Sequence, residues 1–146
     1  MRNVFVAFSC LLCLALAQSV YAAVQTFGPD FARFNILVPD GWSAVPNDGG
    51  CQITSGDGKT SISVQIQKNG GKTSKELAEL IGSQIGGKII SIEEEGPNQT
   101  GLYAEINGTR VGVLIIVVED KFVAFTMAGS DVDSLKKIAE SFSDAQ

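Results

Sequence analysis

The chain predicts a single α+β domain, an antiparallel β-sheet of about six to seven strands with helices packed against it. Three observations carry this. Residues 60–67 alternate strictly, with Ile62, Val64 and Ile66 facing one way and Ser61, Ser63, Gln65 and Gln67 the other, the mark of an antiparallel sheet with one wet face. Thr73 and Glu76 have the spacing of a capping box ahead of an apolar stripe at helical spacing, which announces a helix. Asn107-Gly108 sits between two apolar runs, a strong short-range hairpin signal.

The remaining elements follow in order. Residues 31–38 read as a strand, with Phe34, Ile36 and Val38 on one face and Arg33 and Asn35 on the other. Pro39-Asp40-Gly41 makes a turn, and residues 42–45 resume a short extended piece before the loop Pro46-Asn47-Asp48-Gly49-Gly50. Residues 51–54 and 60–67 pair around Ser55-Gly56-Asp57-Gly58-Lys59. The helix that Thr73 caps carries Leu77, Leu80, Ile81 and Ile85 on its apolar face and stops at Gly86-Gly87. Residues 88–92 form a strand, and Glu93-Glu94-Glu95-Gly96-Pro97-Asn98 an exposed connection. Residues 113–118 are apolar on both faces, so this strand is expected at the centre of the sheet, covered on each side. After a strand over 122–128, Ser130 or Asp131 caps a last helix whose buried stripe is Val132, Leu135, Ile138, Ala139 and Phe142.

The amino terminus specifies an address. Arg2 precedes an apolar run from Val4 to Ala17, and small residues follow at Ala22 and Ala23. A charged start, a short greasy middle and a small-residue exit define a secretory signal peptide, here residues 1–23, with cleavage after Ala22 or Ala23. The run is too short for a stable membrane span, which takes roughly 20 apolar residues. Cys13 follows Cys10-Leu11-Leu12 and Cys10 follows Ala7-Phe8-Ser9, neither of which fits the run of small residues that lipid attachment uses, so no lipid anchor is expected. The domain proper is 24–146, and its expected location is the periplasm or the medium. Losing Arg2 takes the formal charge from −5 to −6. Clustered Lys and Arg, the currency of nucleic acid and anionic membrane binding, are missing. Processing leaves Cys51 as the one cysteine, in phase with the buried side of its strand, so an intrachain disulfide is excluded and an inert buried thiol expected.

Several motifs taken together resemble the PsbP-like/DcrB-like family. They are Phe34-x-Ile36-x-Val38-Pro39-x-Gly41-Trp42, the polar hairpin through Asp57-Gly58-Lys59, Thr73-Ser74-x-Glu76-Leu77, and Gly129 leading to Leu135-x-x-Ile138-Ala139-x-Ser141-Phe142. They run in order through nearly all of the domain. The resemblance implies an antiparallel sheet sandwiched by helices, and a non-catalytic accessory or adaptor role with no shared catalytic constellation. The chain departs from the DcrB type in lacking a lipid-attachment cysteine.

Composition removes much chemistry. The chain has no histidine, which rules out Ser-His-Asp and Cys-His nucleophilic sites and histidine-based zinc, copper and haem sites. One cysteine cannot hold an iron–sulfur cluster alone. Gly70-Gly71-Lys72-Thr73 imitates the end of a phosphate-binding loop, but Ile66 stands where that loop needs its first glycine. Glu93-Glu94-Glu95 with Asp131-x-Asp133 lack the ordered spacing of a calcium loop. No cofactor, metal or catalytic residue is assigned. Candidate contact residues are Asp40, Trp42, Gly49 and Gly50, a tryptophan after a turn with glycines near it in sequence where backbone can approach a ligand. The expected function is an exported, non-catalytic accessory or binding protein of the bacterial envelope acting on an unidentified envelope protein. The alternative is a small-molecule binder or carboxylate-dependent hydrolase with a pocket near Trp42. Intact mass of the exported protein should give a mature terminus at Ala23 or Val24; a mass retaining a diacylated Cys13 would contradict the cleavage reading.

Overall fold

Residues 22–145 are described by the computed structural model; most of the expected signal peptide, with Cys10 and Cys13, lies outside the described residues. Two sheets form. In the smaller, β2 (Phe34–Val38) is flanked by β1 (Ala23–Phe27) and the two-residue β10 (Ser143–Asp144), both antiparallel to it. The larger sheet contains β3 (Ser43–Asn47), β4 (Gly50–Thr54), β5 (Ser61–Lys68), β6 (Lys88–Gly96), β7 (Gln99–Ile106), β8 (Thr109–Val118) and β9 (Lys121–Ala128). Its order is β3-β4-β5-β9-β8-β7-β6, every neighbour antiparallel. Helix α1 (Ser74–Gln84) connects β5 to β6, and α2 (Val132–Glu140) follows β9.

Local chemistry places these elements. The Thr73 hydroxyl accepts from the Glu76 amide at 3.2 Å, while the Glu76 carboxylate accepts from the Thr73 amide at 2.8 Å. Those bonds to its charged form hold the Glu76 carboxyl below its ordinary range. Gly86, at φ +74°, supplies the left-handed residue that ends α1. Asn107 and Gly108 take φ +50° and +79°, the backbone of a type I′ turn, and set Ile106 opposite Thr109. Asn69, buried after β5, donates its side-chain amide to the Glu119 carbonyl at 2.8 Å and accepts from Gly71 N at 2.8 Å. The glycine-lysine-threonine run is thus a turn organised by Asn69, leading into the capping box.

The larger sheet is covered on both faces, by different layers. On one face β2 and α2 bring Phe34, Ile36, Val38, Leu135 and Ile138 against Cys51, Ile53, Ile62, Val64 and Phe125. On the other, Leu77 and Ala78 of α1 meet Leu102, Val111, Val113, Ile115, Phe122 and Ala124. Strand β8 contributes to both, Val113 and Ile115 to the second cluster while Leu114 and Ile116 pack against the first. The expected two-sided burial holds for residues 113–117, while Val118 at the strand's end is 54% exposed; β8 lies one place from the middle, which β9 occupies.

Three expectations are corrected. Glu93, Glu94 and Glu95 are strand, not connection: they continue β6, with Glu93 opposite Gly101 and Glu94 opposite Thr100. A sheet edge tolerates them because their carboxylates remain in water. Leu80 is 42% exposed; beside Leu77, α1 instead buries Ser74, Ala78 and Gly82, small residues that let it lie close to the sheet. A methyl on Gly82 would come within 2.8 Å of Ile89 Cδ1. Val132 is 65% exposed, because α2 turns inward only from Leu135 after Asp131 caps it. Strands β1 and β10 were not anticipated; β1 exposes all but Phe27 and so shows no alternation.

Cys51 is fully buried and unpaired, and burial pushes its thiol pKa up to about 12. A thiol reagent should label the native protein only at its unfolding rate, and prompt stoichiometric labelling at neutral pH would show this packing to be wrong.

Candidate functional site

The side chains of β7 alternate between covered and open surroundings. Leu102 and Ala104 are buried toward the α1 face, while Tyr103 points to the opposite face. There β2 and α2 cover β4, β5 and β9 but stop short of β7, so half of this sheet face is open. Tyr103 lies opposite Gly112 in register, and its ring spans two glycine positions. A methyl on Gly112 would meet Tyr103 Cε1 at 3.7 Å, and one on Gly101 would meet Cε2 at 3.5 Å. An aromatic ring laid over strand glycines replaces the cover their missing side chains withhold.

Beside Tyr103 a cleft of about 390 Å³ runs between the β6 edge and the start of α2. Ile90, Tyr103, Gly112, Met127 and Leu135 line it, with Ser91, Glu93 and Arg110 supplying its polar groups. Ile90 is 51% exposed and Tyr103 42%, so apolar surface faces water here without a partner. The Glu93 carboxylate accepts from Ser91 Oγ at 3.0 Å, and Glu95 from Gln99 Nε2 at 2.9 Å. Among the described residues the ion pairs are Lys68–Asp120 and Lys136–Glu140; neither involves Arg110 or these glutamates.

Two other clefts differ in character. One of about 570 Å³, between the β1–β2 turn, the β8–β9 turn and the carboxyl-terminal segment, mixes Asp30, Arg33, Glu119, Lys121 and Asp144 with Phe31 and Phe142. At its margin Lys68 stands 5.0 Å above the Phe31 ring and bonds Asp120, which lowers the Asp120 carboxyl pKa. The cleft walls thus carry both signs of charge, three acids and two bases. The third, of about 290 Å³, lies between α1 and the polar side of β5, with Gln65, Gln67 and Gln84 on its walls.

None of these three clefts is lined by Asp40, Trp42, Gly49 or Gly50. Trp42 donates its amide to the Pro39 carbonyl at 3.1 Å, closing a turn in which Gly41 takes φ +80°, the type II geometry. Its side chain packs on the core cluster under β2. Asp40 is exposed on that turn. Gly49 and Gly50 follow the far end of β3, since Ser43 pairs with Thr54 and Asn47 with Gly50. The length of β3, roughly 13 Å, therefore separates Trp42 from the glycines, and closeness in sequence is not closeness in space. The glycines face the protein itself. A methyl on Gly50 would stand 1.9 Å from the Val64 carbonyl oxygen and 3.3 Å from Phe34 Cζ. Gly49 accepts from the Ile66 amide at 2.9 Å. Tyr103, Ile90 and Met127 were not foreseen, although the register set by Asn107-Gly108 already places Tyr103 opposite Gly112.

The architecture is that of a PsbP-like α+β sandwich. The chain is similar to the cyanobacterial PsbP protein (CyanoP) of Synechocystis sp. PCC 6803, whose solution structure it matches with a TM-score of 0.57. The match covers 88% of this chain and 95% of that one at 12% sequence identity, a likeness of fold. No protein-family model and no curated protein matches the chain.

The two adjacent glycines should respond differently to substitution. Gly50→Ala should cost about 3 kcal/mol, because backbone atoms have to part to admit the methyl. Gly49→Ala, with its nearest contact at 3.5 Å, should cost about 0.5 kcal/mol or less. Denaturant midpoints of the two variants check this, and equal shifts would remove the packing account of Gly50.

Proposed function

We propose that the chain is an exported, non-catalytic accessory protein of the bacterial cell envelope, related to PsbP-like/DcrB-like proteins, that works by binding another protein. The observation that carries this reading is the open half of the larger sheet, where Tyr103 and Ile90 face water beside Met127 and Leu135. Exposed aromatic and aliphatic side chains gathered on rigid strands, with polar groups at the rim, form the kind of surface that protein partners cover. Strands hold such a surface in one shape, so little ordering cost accompanies binding.

The amino-terminal pattern supports the export part of the reading. Cleavage after Ala22 keeps all of β1, whose first residue, Ala23, pairs with Val38. Cleavage one residue later removes a single pair at the strand's frayed end.

Photo-crosslinking in cells tests the reading. A benzophenone amino acid replacing Tyr103 should capture one discrete envelope protein, and untagged wild-type chain in excess should compete it away. The same group replacing Gln52, exposed on the polar face of β4, should capture none. Equal, non-competable adducts at both positions, or a small molecule co-purifying in stoichiometric amount with no protein adduct, would count against a protein-contact role.

A further inference from the structure

We propose that the outer edge of β6 docks an extended, basic segment of the partner protein, which adds to the larger sheet as a further strand. This rests on the protein-contact reading above and names the chemistry of the partner. The open edge carries the inference. Of the strands at sheet edges, β3 and β1 have 5 residues each and β10 has 2, whereas β6 has 9. Strand β3 is further blunted by Pro46, which has no amide to offer. Strand β6 pairs only with β7, so alternate amides and carbonyls along its other side await partners, the template on which an added strand forms.

The register marks out where a strand can add. Pairing shifts between Ile89 and Ser91 and again between Glu94 and Gly96, bending both ends of β6 and leaving a regular stretch at 91–94. An added strand there directs alternate side chains to the two faces of the sheet. On one face they fall beside Ile90 and the Tyr103 cleft. On the other they fall beside Ile89, which packs on α1 at Gly82.

Charge complementarity selects the occupant. Glu93, Glu94 and Glu95 are exposed, and no cation closes an ion pair with them among the described residues. Hydrogen bonds from Ser91 and Gln99 orient two of the carboxylates and neutralise none. A second copy of the chain would bring two such acidic triplets onto one seam, with a single Lys88 from each to offset them. A segment with Lys or Arg opposite the glutamates and an apolar residue toward Ile90 fits without that repulsion.

The probe is a blocked ten-residue peptide of alternating valine and threonine ending in three arginines. Its relatives are the same peptide with glutamates at those positions and one methylated at alternate backbone nitrogens. The arginine peptide should slow amide exchange in β6 at least about tenfold and leave β1 and β3 unchanged. Joint replacement Glu93→Gln, Glu94→Gln and Glu95→Gln should weaken it about fivefold, the modest loss expected of three exposed pairs. The glutamate and methylated peptides should fail to bind. Equal binding of the methylated peptide would reduce the effect to charge adhesion, and absence of protection in β6 would overturn the proposal. If the protein captured at Tyr103 binds the triple variant with unchanged affinity, the strand-addition inference fails while the protein-contact reading stands. If nothing is captured at Tyr103 yet the arginine peptide protects β6, the Tyr103 contact reading fails, and what stands is the capacity of the β6 edge to take up a basic strand.

Discussion

Phe34 is the side chain on which the two sheets meet. Its ring is fully buried, 6.3 Å from Phe27 on β1 and 5.1 Å from Phe142 beyond α2. Phe142 in turn stands edge-on to Phe125 of β9 at 5.5 Å. A chain of four rings thus ties the outermost strand of the small sheet to the middle strand of the large one. Each such pair adds about 0.5–1.5 kcal/mol beyond the area it buries. The ring also dictates its surroundings: a methyl on Gly28 would lie 2.9 Å from Phe34 Cδ1, and one on Gly50 3.3 Å from Cζ. At both glycines a backbone carbonyl comes nearer still, Ala32 O at 2.5 Å and Val64 O at 1.9 Å, so the ring closes a space that the backbone has already narrowed.

Placing that aromatic column under β4, β5 and β9 has a cost at the other side of the sheet. A three-stranded layer and a nine-residue helix cannot cover seven strands, and α1 covers the β6–β8 half from the opposite face. The two covering layers are therefore offset, and each leaves half a face bare. On β4 and β5 the bare half is Gln52, Ser63, Gln65 and Gln67, polar as water requires. On β6 and β7 it is Tyr103 and Ile90, which water does not require. This asymmetry between two halves in equivalent positions makes the β7 side the candidate contact surface.

Much of this was legible from residue order. Alternation in β5, the Thr73–Glu76 box, the two-sided apolar run of β8 and the Asn107-Gly108 turn each depend on neighbours a few residues away, and each appears as read. The failures share a cause: they depend on partners distant in sequence. Strand β1 exists because β2 offers it an edge, and nothing in Ala23–Phe27 alternates. Glu93–Glu95 look like loop until β7 pairs with them. Trp42 and Gly50 look adjacent until a whole strand is laid between them. Tyr103 was within reach, because a two-residue turn fixes which residues oppose each other across a hairpin.

The strand order also governs how the chain reaches this structure. Strands β3, β4 and β5 form one meander and β6 to β9 another, each closed by local turns. They meet at a single seam, β5 against β9, where Gln65 pairs with Ala124. Closing that distant pair costs chain entropy before any contact across it offers compensation. The folding barrier is expected at this seam, where the apolar faces of the two meanders first come together.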